Sequence, residues 1–236
     1  MPNYVRGEEK PPLCFCIEIP DHSIRLDGSP DEKIWEKAAE ISLYDIEDAS
    51  VPRYPVDAKL LRDNNFLYIE ITVADIEVTG TTDTLCLRPS DEKEVLKADS
   101  VIEIFIDADG DGKNYMEIHI NSKGQLADKL FDYPPSAGAR RECGIIFEGN
   151  EIYDDGWNCD GLRATVSITL DKGWTTEVAV PLKSIGQLAD ARILLVHHRK
   201  IYGESLWWSW PVLKIKNCHY PSRWGIVNFE KWKETK

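Results

Sequence analysis

Two neighbouring segments, Val101–Asp107 and Tyr115–Asn121, carry side chains whose character alternates at every second position. A period of two places Ile102, Ile104 and Ile106 on one side of an extended chain, and Met116, Ile118 and Ile120 on one side of the next. A helix would scatter both sets around its circumference. Joined by an Asp- and Gly-rich run, the two segments predict a β-hairpin. If the isoleucine sides face the core of a sandwich, the opposite side gathers Glu103, Phe105, Tyr115, Glu117 and His119.

The rest of the chain follows the same pattern. Segments rich in β-branched and aromatic residues recur at Leu13–Ile19, Ala58–Arg62, Phe66–Val73, Arg163–Leu170, Trp174–Val180, Ile193–Lys200 and Gly225–Phe229, each bounded by turn residues. Helical periodicity is confined to Asp31–Ala38, after Pro30 and with acidic residues in its first turn, and to Leu182–Leu188. Asp91–Ala98 and Tyr133–Gly138 read as loops. No repeat of fixed period marks a solenoid or propeller. The 236 residues fit one all-β domain spanning 1–236, an antiparallel β-sandwich with short helical insertions.

Charge narrows the functional classes. Acidic residues outnumber basic ones 41 to 28, a net charge of −13 that would repel phosphate backbones over most of the surface, so nucleic acid is not an expected partner. No apolar run reaches the length of a membrane span, and the opening MPNYVRGEEKPP lacks the apolar core of a signal peptide. The six cysteines, Cys14, Cys16, Cys86, Cys143, Cys159 and Cys218, include no C-x-x-C pair and read as buried free thiols.

Aromatic rings beside hydrogen-bonding groups on the hairpin's second face suit a sugar, whose CH faces stack and whose hydroxyls need directed partners. That face equally fits a solvated sheet surface with ordinary cross-strand pairs. Among the tryptophans, Trp207 and Trp208 must face opposite sides of an extended segment, and Trp208 and Trp210 are expected to lie outward. Trp157, in the turn-rich YDDGWNCDG, is free to present its ring from a loop.

Five motifs in order carry a resemblance: IRLDGSPDEKIWEKA (Ile24–Ala38), AKLLRDNNFLYIEITVAD (Ala58–Asp75), DSVIEIFIDADGDGKNYMEIHIN (Asp99–Asn121), DKGWTTEVAVP (Asp171–Pro181) and LWWSWP with HYPSRWGIVNF (Leu206–Phe229). Over about residues 22 to 229 the chain resembles the carbohydrate-binding family 9 domain, a β-sandwich. The resemblance implies a non-catalytic module that binds an oligosaccharide or polysaccharide, works beside an exported glycan-degrading enzyme, and resides outside the cytoplasm. Glu103 matches a carboxylate that contacts sugar in the family's xylanase-linked members. Those members clamp the ring between two tryptophans, and here the matching regions are DEKEVLKA and Cys218, His219 and Tyr220. The expected sugar-contacting set is therefore Glu103, Tyr115, Glu117, Trp157, Trp208, Trp210, His219 and Tyr220. Two alternatives stay open: a related sandwich binds b-type haem through an axial Met, for which Met116 is the candidate, or the fold is a docking sandwich whose sugar site is lost.

The run DADGDG places Asp107, Asp109 and Asp111 at the alternate spacing that surrounds calcium with hard oxygen ligands, with Gly112 for the turn. Position twelve is Ile118, which excludes the helix-loop-helix version, so a structural calcium in a hairpin loop is the expectation. An ordinary polar hairpin turn would read the same way. No G-x-S-x-G elbow, H-E-x-x-H, P-loop or G-x-G-x-x-G is present, and His197 and His198 must point to opposite faces of one strand.

Overall fold

The computed structural model describes residues 10–78, 84–86, 95, 96, 98–131, 153, 154, 157–186 and 191–230. The strands are β1 (Leu13–Glu18), β2 (Glu40–Ser42), β3 (Tyr44–Asp45), β4 (Val56–Arg62), β5 (Phe66–Val73), β6 (Thr84–Cys86), β7 (Ser100–Asp107), β8 (Met116–Asn121), β9 (Leu126–Phe131), β10 (Tyr153–Asp154), β11 (Arg163–Thr169), β12 (Gly173–Pro181), β13 (Arg192–Ile201), β14 (Glu204–Trp210) and β15 (Gly225–Glu230).

Hydrogen-bonded neighbours run in the order β10-β9-β8-β7-β13-β15-β1-β4-β5-β12-β11-β6, with β14 beside β13. Ile102, Ile104, Met116 and Ile118 from one half of this path share a single buried cluster with Leu60, Ile69, Ile71 and Val178 from the other half. Strands so far apart along the path touch only if the path folds over on itself, which makes two layers around one core. The isoleucine faces of β7 and β8 point into that core, as their alternation requires. Met116 packs there as an apolar filler, 1% exposed.

The sandwich is mixed rather than wholly antiparallel, because β1 pairs in parallel with both β15 and β4. Only consecutive strands joined by a tight turn must run antiparallel, and β1 meets its partners from distant parts of the chain. A chain of polar contacts crosses the core: the Trp174 indole N–H donates to Ser100 Oγ at 3.0 Å, Ser100 Oγ lies 2.8 Å from His197 Nε2, and His197 stacks on Trp208. Arg199 forms a buried ion pair with Asp75. Cys14, Cys16, Cys159 and Cys218 are buried and form no disulfide.

The opening segment docks on the far side of the second layer. Trp35 packs with Ile19, Leu61, Tyr68 and Ala179. Glu177 of β12 accepts hydrogen bonds from the backbone N–H of Gly28 (2.8 Å) and Asp27 (3.3 Å). Gly28 has φ +83°, and a Cβ there would meet Ser167 Cβ at 2.9 Å, so only glycine closes this contact.

The helix expected at Asp31–Ala38 is a single 3-10 segment, Lys33–Lys37, long enough to bury Trp35 and no longer. That expected from Leu182 is one turn, Leu182–Ile185, closed by Gly186 at φ 79°; 187–190 lie outside the described residues. So do the expected loop Tyr133–Gly138 and most of Asp91–Ala98.

Candidate functional site

The second face of the β7–β8 hairpin is the outer face of the first layer. Side chains opposite the core on β7, β8, β9 and β13 line up in rows: Ala127, His119, Glu103 and Val196 stand side by side, and Lys129, Glu117, Phe105 and Leu194 form the next row. A sheet face of this kind would ordinarily meet solvent, but Ile46, Leu213, Cys218 and Trp224 fold over it and join Phe105, Tyr115, Phe131, Leu194 and Val196 in a second apolar cluster. The cover, residues 211–224, is held by Arg192 donating to Pro221 and Ser222 carbonyls, by the Trp224 indole N–H donating to Cys218 O (2.8 Å), and by Leu213 N–H donating to Ile46 O.

Charged groups are thereby enclosed. Glu103, Glu117 and His119 are 4%, 5% and 2% exposed, and one ligand-type atom from each lies within 4.8 Å of the other two. His119 Nε2 and Glu117 Oε1 are 2.9 Å apart. Burial alone would push the Glu117 carboxyl up, but the charge and hydrogen bond of His119, together with the charges of His219 and Lys129, outweigh it and hold Glu117 below the ordinary carboxylate range. Above the pair, Tyr115 Oη is 2.9 Å from His219 Nδ1, and the Tyr115 ring stacks on Phe131 at 5.0 Å. The Cys218 thiol is driven well above its ordinary pKa by burial and by the carboxylates of Glu103 and Glu117. The arrangement offers fixed carboxylate, imidazole and phenol groups framed by aromatic rings, which suits directed hydrogen bonding to a polar, ring-shaped ligand.

The structure brings together Glu103, Tyr115, Glu117 and His219 on this face, and it places the expected indoles, Trp157, Trp208 and Trp210, against the sandwich core instead. Trp207 and Trp208 do face opposite sides, but the sides are the reverse of those expected. Trp208 is 4% exposed and belongs to the sandwich core, where it stacks on His197. Trp210 is half-buried against the same core and lies over Gly225. Register decides this: Trp208 pairs with His197, on the inward side of β13, and Trp207 with His198 on the outward side. Trp207 and His198 stack at 4.5 Å on the outer face. Trp157 is half-buried against the core cluster, and Tyr220 lies buried in the cover with the Arg223 guanidinium 4.6 Å from its ring centre.

The sequence profile described as carbohydrate family 9 binding domain-like matches residues 26–230. The chain belongs to this family. Among solved structures, the family 9 domain described here is similar to a carbohydrate-binding module of family 9 from Caldicellulosiruptor kristjanssonii, seen in complex with cellotriose (TM-score 0.58, 14% identity, 94% of this chain and 95% of that one). It matches equally the same kind of module with glucose (TM-score 0.58, 14% identity, 95% and 98%). A protein from Bacteroides uniformis is similar at TM-score 0.63 and 13% identity over 93% and 99% of the two chains. At these identities the likeness is one of fold. No curated protein matches the chain in sequence.

In this family 9 domain the Asp107–Asp109–Asp111 loop lies at the end of the same hairpin. Asp107 is buried, Asp109 and Asp111 are exposed, and an oxygen from each lies within 4.8 Å of the others. Asp107 Oδ1 and Oδ2 accept the N–H groups of Gly110 (3.0 Å) and Gly112 (2.8 Å). Burial, offset in part by the Gly112 N–H and reinforced by the two neighbouring aspartates, raises Asp107 to about 6. Three converging carboxylates so placed fit a hard dication, which would hold them all ionised. Lys129, Cys218 and His198 join the outer face without having been expected there; Lys129 is carried by β9, which its pairing with β8 makes extended.

Proposed function

We propose that this family 9 domain is a non-catalytic module that binds an oligosaccharide or polysaccharide on the outer face of its first layer. Glu103 and Glu117 would accept hydrogen bonds from sugar hydroxyls, His119 and His219 would donate or accept, and Tyr115 would add a phenol. The observation that carries this reading is the enclosure of Glu103, Glu117 and His119, each under 6% exposed, on a sheet face that also presents Tyr115 and His219. Burying such groups is costly unless they are partnered, and a rigid set of directed donors and acceptors is what discriminates one hydroxyl pattern from another. The chain resembles the xylanase-linked members at Glu103, and similar folds have been seen with cellotriose and glucose. Trp157, half-buried, and Tyr220, in the cover, are the aromatic candidates that remain, whereas Trp208 serves the core.

The reading extends to an exported protein that supports an associated glycan-degrading enzyme, and to a calcium ion held by Asp107, Asp109 and Asp111 that would brace the hairpin loop beside the site. Affinity in the micromolar to millimolar range, about −8 to −4 kcal/mol, is expected for a module of this kind. A glycan array followed by calorimetry on the hits tests it: saturable binding of a glucan or xylan fragment supports the reading, and an array with no carbohydrate hit overturns it.

A further inference from the structure

We propose that Glu103, Glu117 and His119 also form a binding site for one divalent transition-metal ion of the zinc or manganese class. The inference goes beyond sugar binding and does not require it. Glu117 and His119 are two residues apart on β8, so their side chains leave the same face, and Glu103 is directly opposite His119 on β7. Two ligands on alternate positions of one strand and a third across from them span one face of a coordination polyhedron on a rigid backbone.

Distances agree with this. The 2.9 Å between His119 Nε2 and Glu117 Oε1 is close to the separation of two neighbouring ligands that each sit about 2.1 Å from a common ion. The three ligand-type atoms lie within 4.8 Å of one another, so a small closure would complete the set. An imidazole nitrogen among carboxylates selects a borderline cation, whereas calcium and magnesium favour all-oxygen surroundings.

A second, independent feature is His198. It lies on the same outer face, 7% exposed, and neither ring nitrogen has a hydrogen-bond partner among the described residues. On β13 it stands opposite Val101, two positions along β7 from Glu103 and on the same face, so its imidazole borders the cluster.

The test is calorimetric titration of the full chain, stripped with EDTA, with zinc chloride and with manganese chloride alone. About one equivalent should bind, and Glu103→Gln and His119→Gln should each weaken binding at least about tenfold. A cobalt-loaded sample should show visible absorption bands that His119→Gln removes. The double variant Asp109→Asn/Asp111→Asn should keep the site. If His119→Gln does not fold, Glu103→Gln, which preserves shape and removes one charge, decides the matter. Absence of saturable binding, binding unchanged in Glu103→Gln, or binding lost only in the double aspartate variant would each overturn the proposal. Sugar titrations in EDTA separate this outcome from the fate of the carbohydrate reading.

Discussion

Replacing Glu177 by Gln isolates one buried carboxylate and gives its effect a definite sign. Glu177 is fully buried beneath the opening segment, with one oxygen accepting from Gly28 and Asp27 and the other without a partner among the described residues. Burial, countered by those two N–H donors and aided by Glu32 and Asp27, raises its pKa from 4.5 to about 7. Between these two values the folded state holds more protons than the unfolded chain. The stability tied to protonated Glu177 is therefore whole below pH 4.5 and is lost as pH rises through 7. A span of about 2.5 pH units, at roughly 1.4 kcal/mol each, gives an upper bound of about 3.5 kcal/mol. Gln imitates the protonated acid: its carbonyl can accept from Gly28, and its NH2 occupies the unpartnered side as the acid O–H did. Urea unfolding across the pH range should show the variant equal to the parent near pH 4 and more stable by up to about 3.5 kcal/mol at pH 8. Parallel curves, or a variant that is less stable at pH 8, would refute the reasoning.

Gly225→Ala would drive a Cβ to within 2.4 Å of the Trp210 ring and should cost roughly 1–3 kcal/mol in urea unfolding; no loss would mean that Trp210 does not pack there. Trp208→Ala should destabilise by roughly 3–5 kcal/mol while leaving sugar affinity of the folded fraction unchanged, because the ring fills the core and not the outer face. Calcium should raise the melting temperature, by about 2.7 kcal/mol of stabilisation at a hundredfold excess over Kd, and Asp109→Asn/Asp111→Asn should abolish that response. An unresponsive parent would leave the loop an ordinary hairpin turn.

Legibility tracked the strength of the periodic signal. The β7–β8 hairpin was readable because six apolar side chains alternate without a break, and its inward and outward faces followed directly. β9 was not: its residues, LADKLF, include Ala, Asp and Lys, which have little intrinsic preference for strands, and only pairing with β8 makes them extended. The short strands β2, β3 and β10 are likewise made by their neighbours. Opposite sides for Trp207 and Trp208 could be stated from alternation alone, but which side met the core depends on register against β13, a tertiary fact. The same holds for the enclosure of Glu103. Its side of the strand was evident, whereas the cover by residues 211–224 that buries it comes from far along the chain.

The central claim is that the enclosed carboxylates of the outer face grip a sugar. Titrating cellotriose, or the best array hit, into the parent and into Glu103→Gln by calorimetry measures this most directly. The account predicts saturable binding by the parent and a loss of roughly 1–3 kcal/mol, about fivefold to 150-fold, in a variant that unfolds with the same cooperativity. Equal affinity in the two proteins would contradict it.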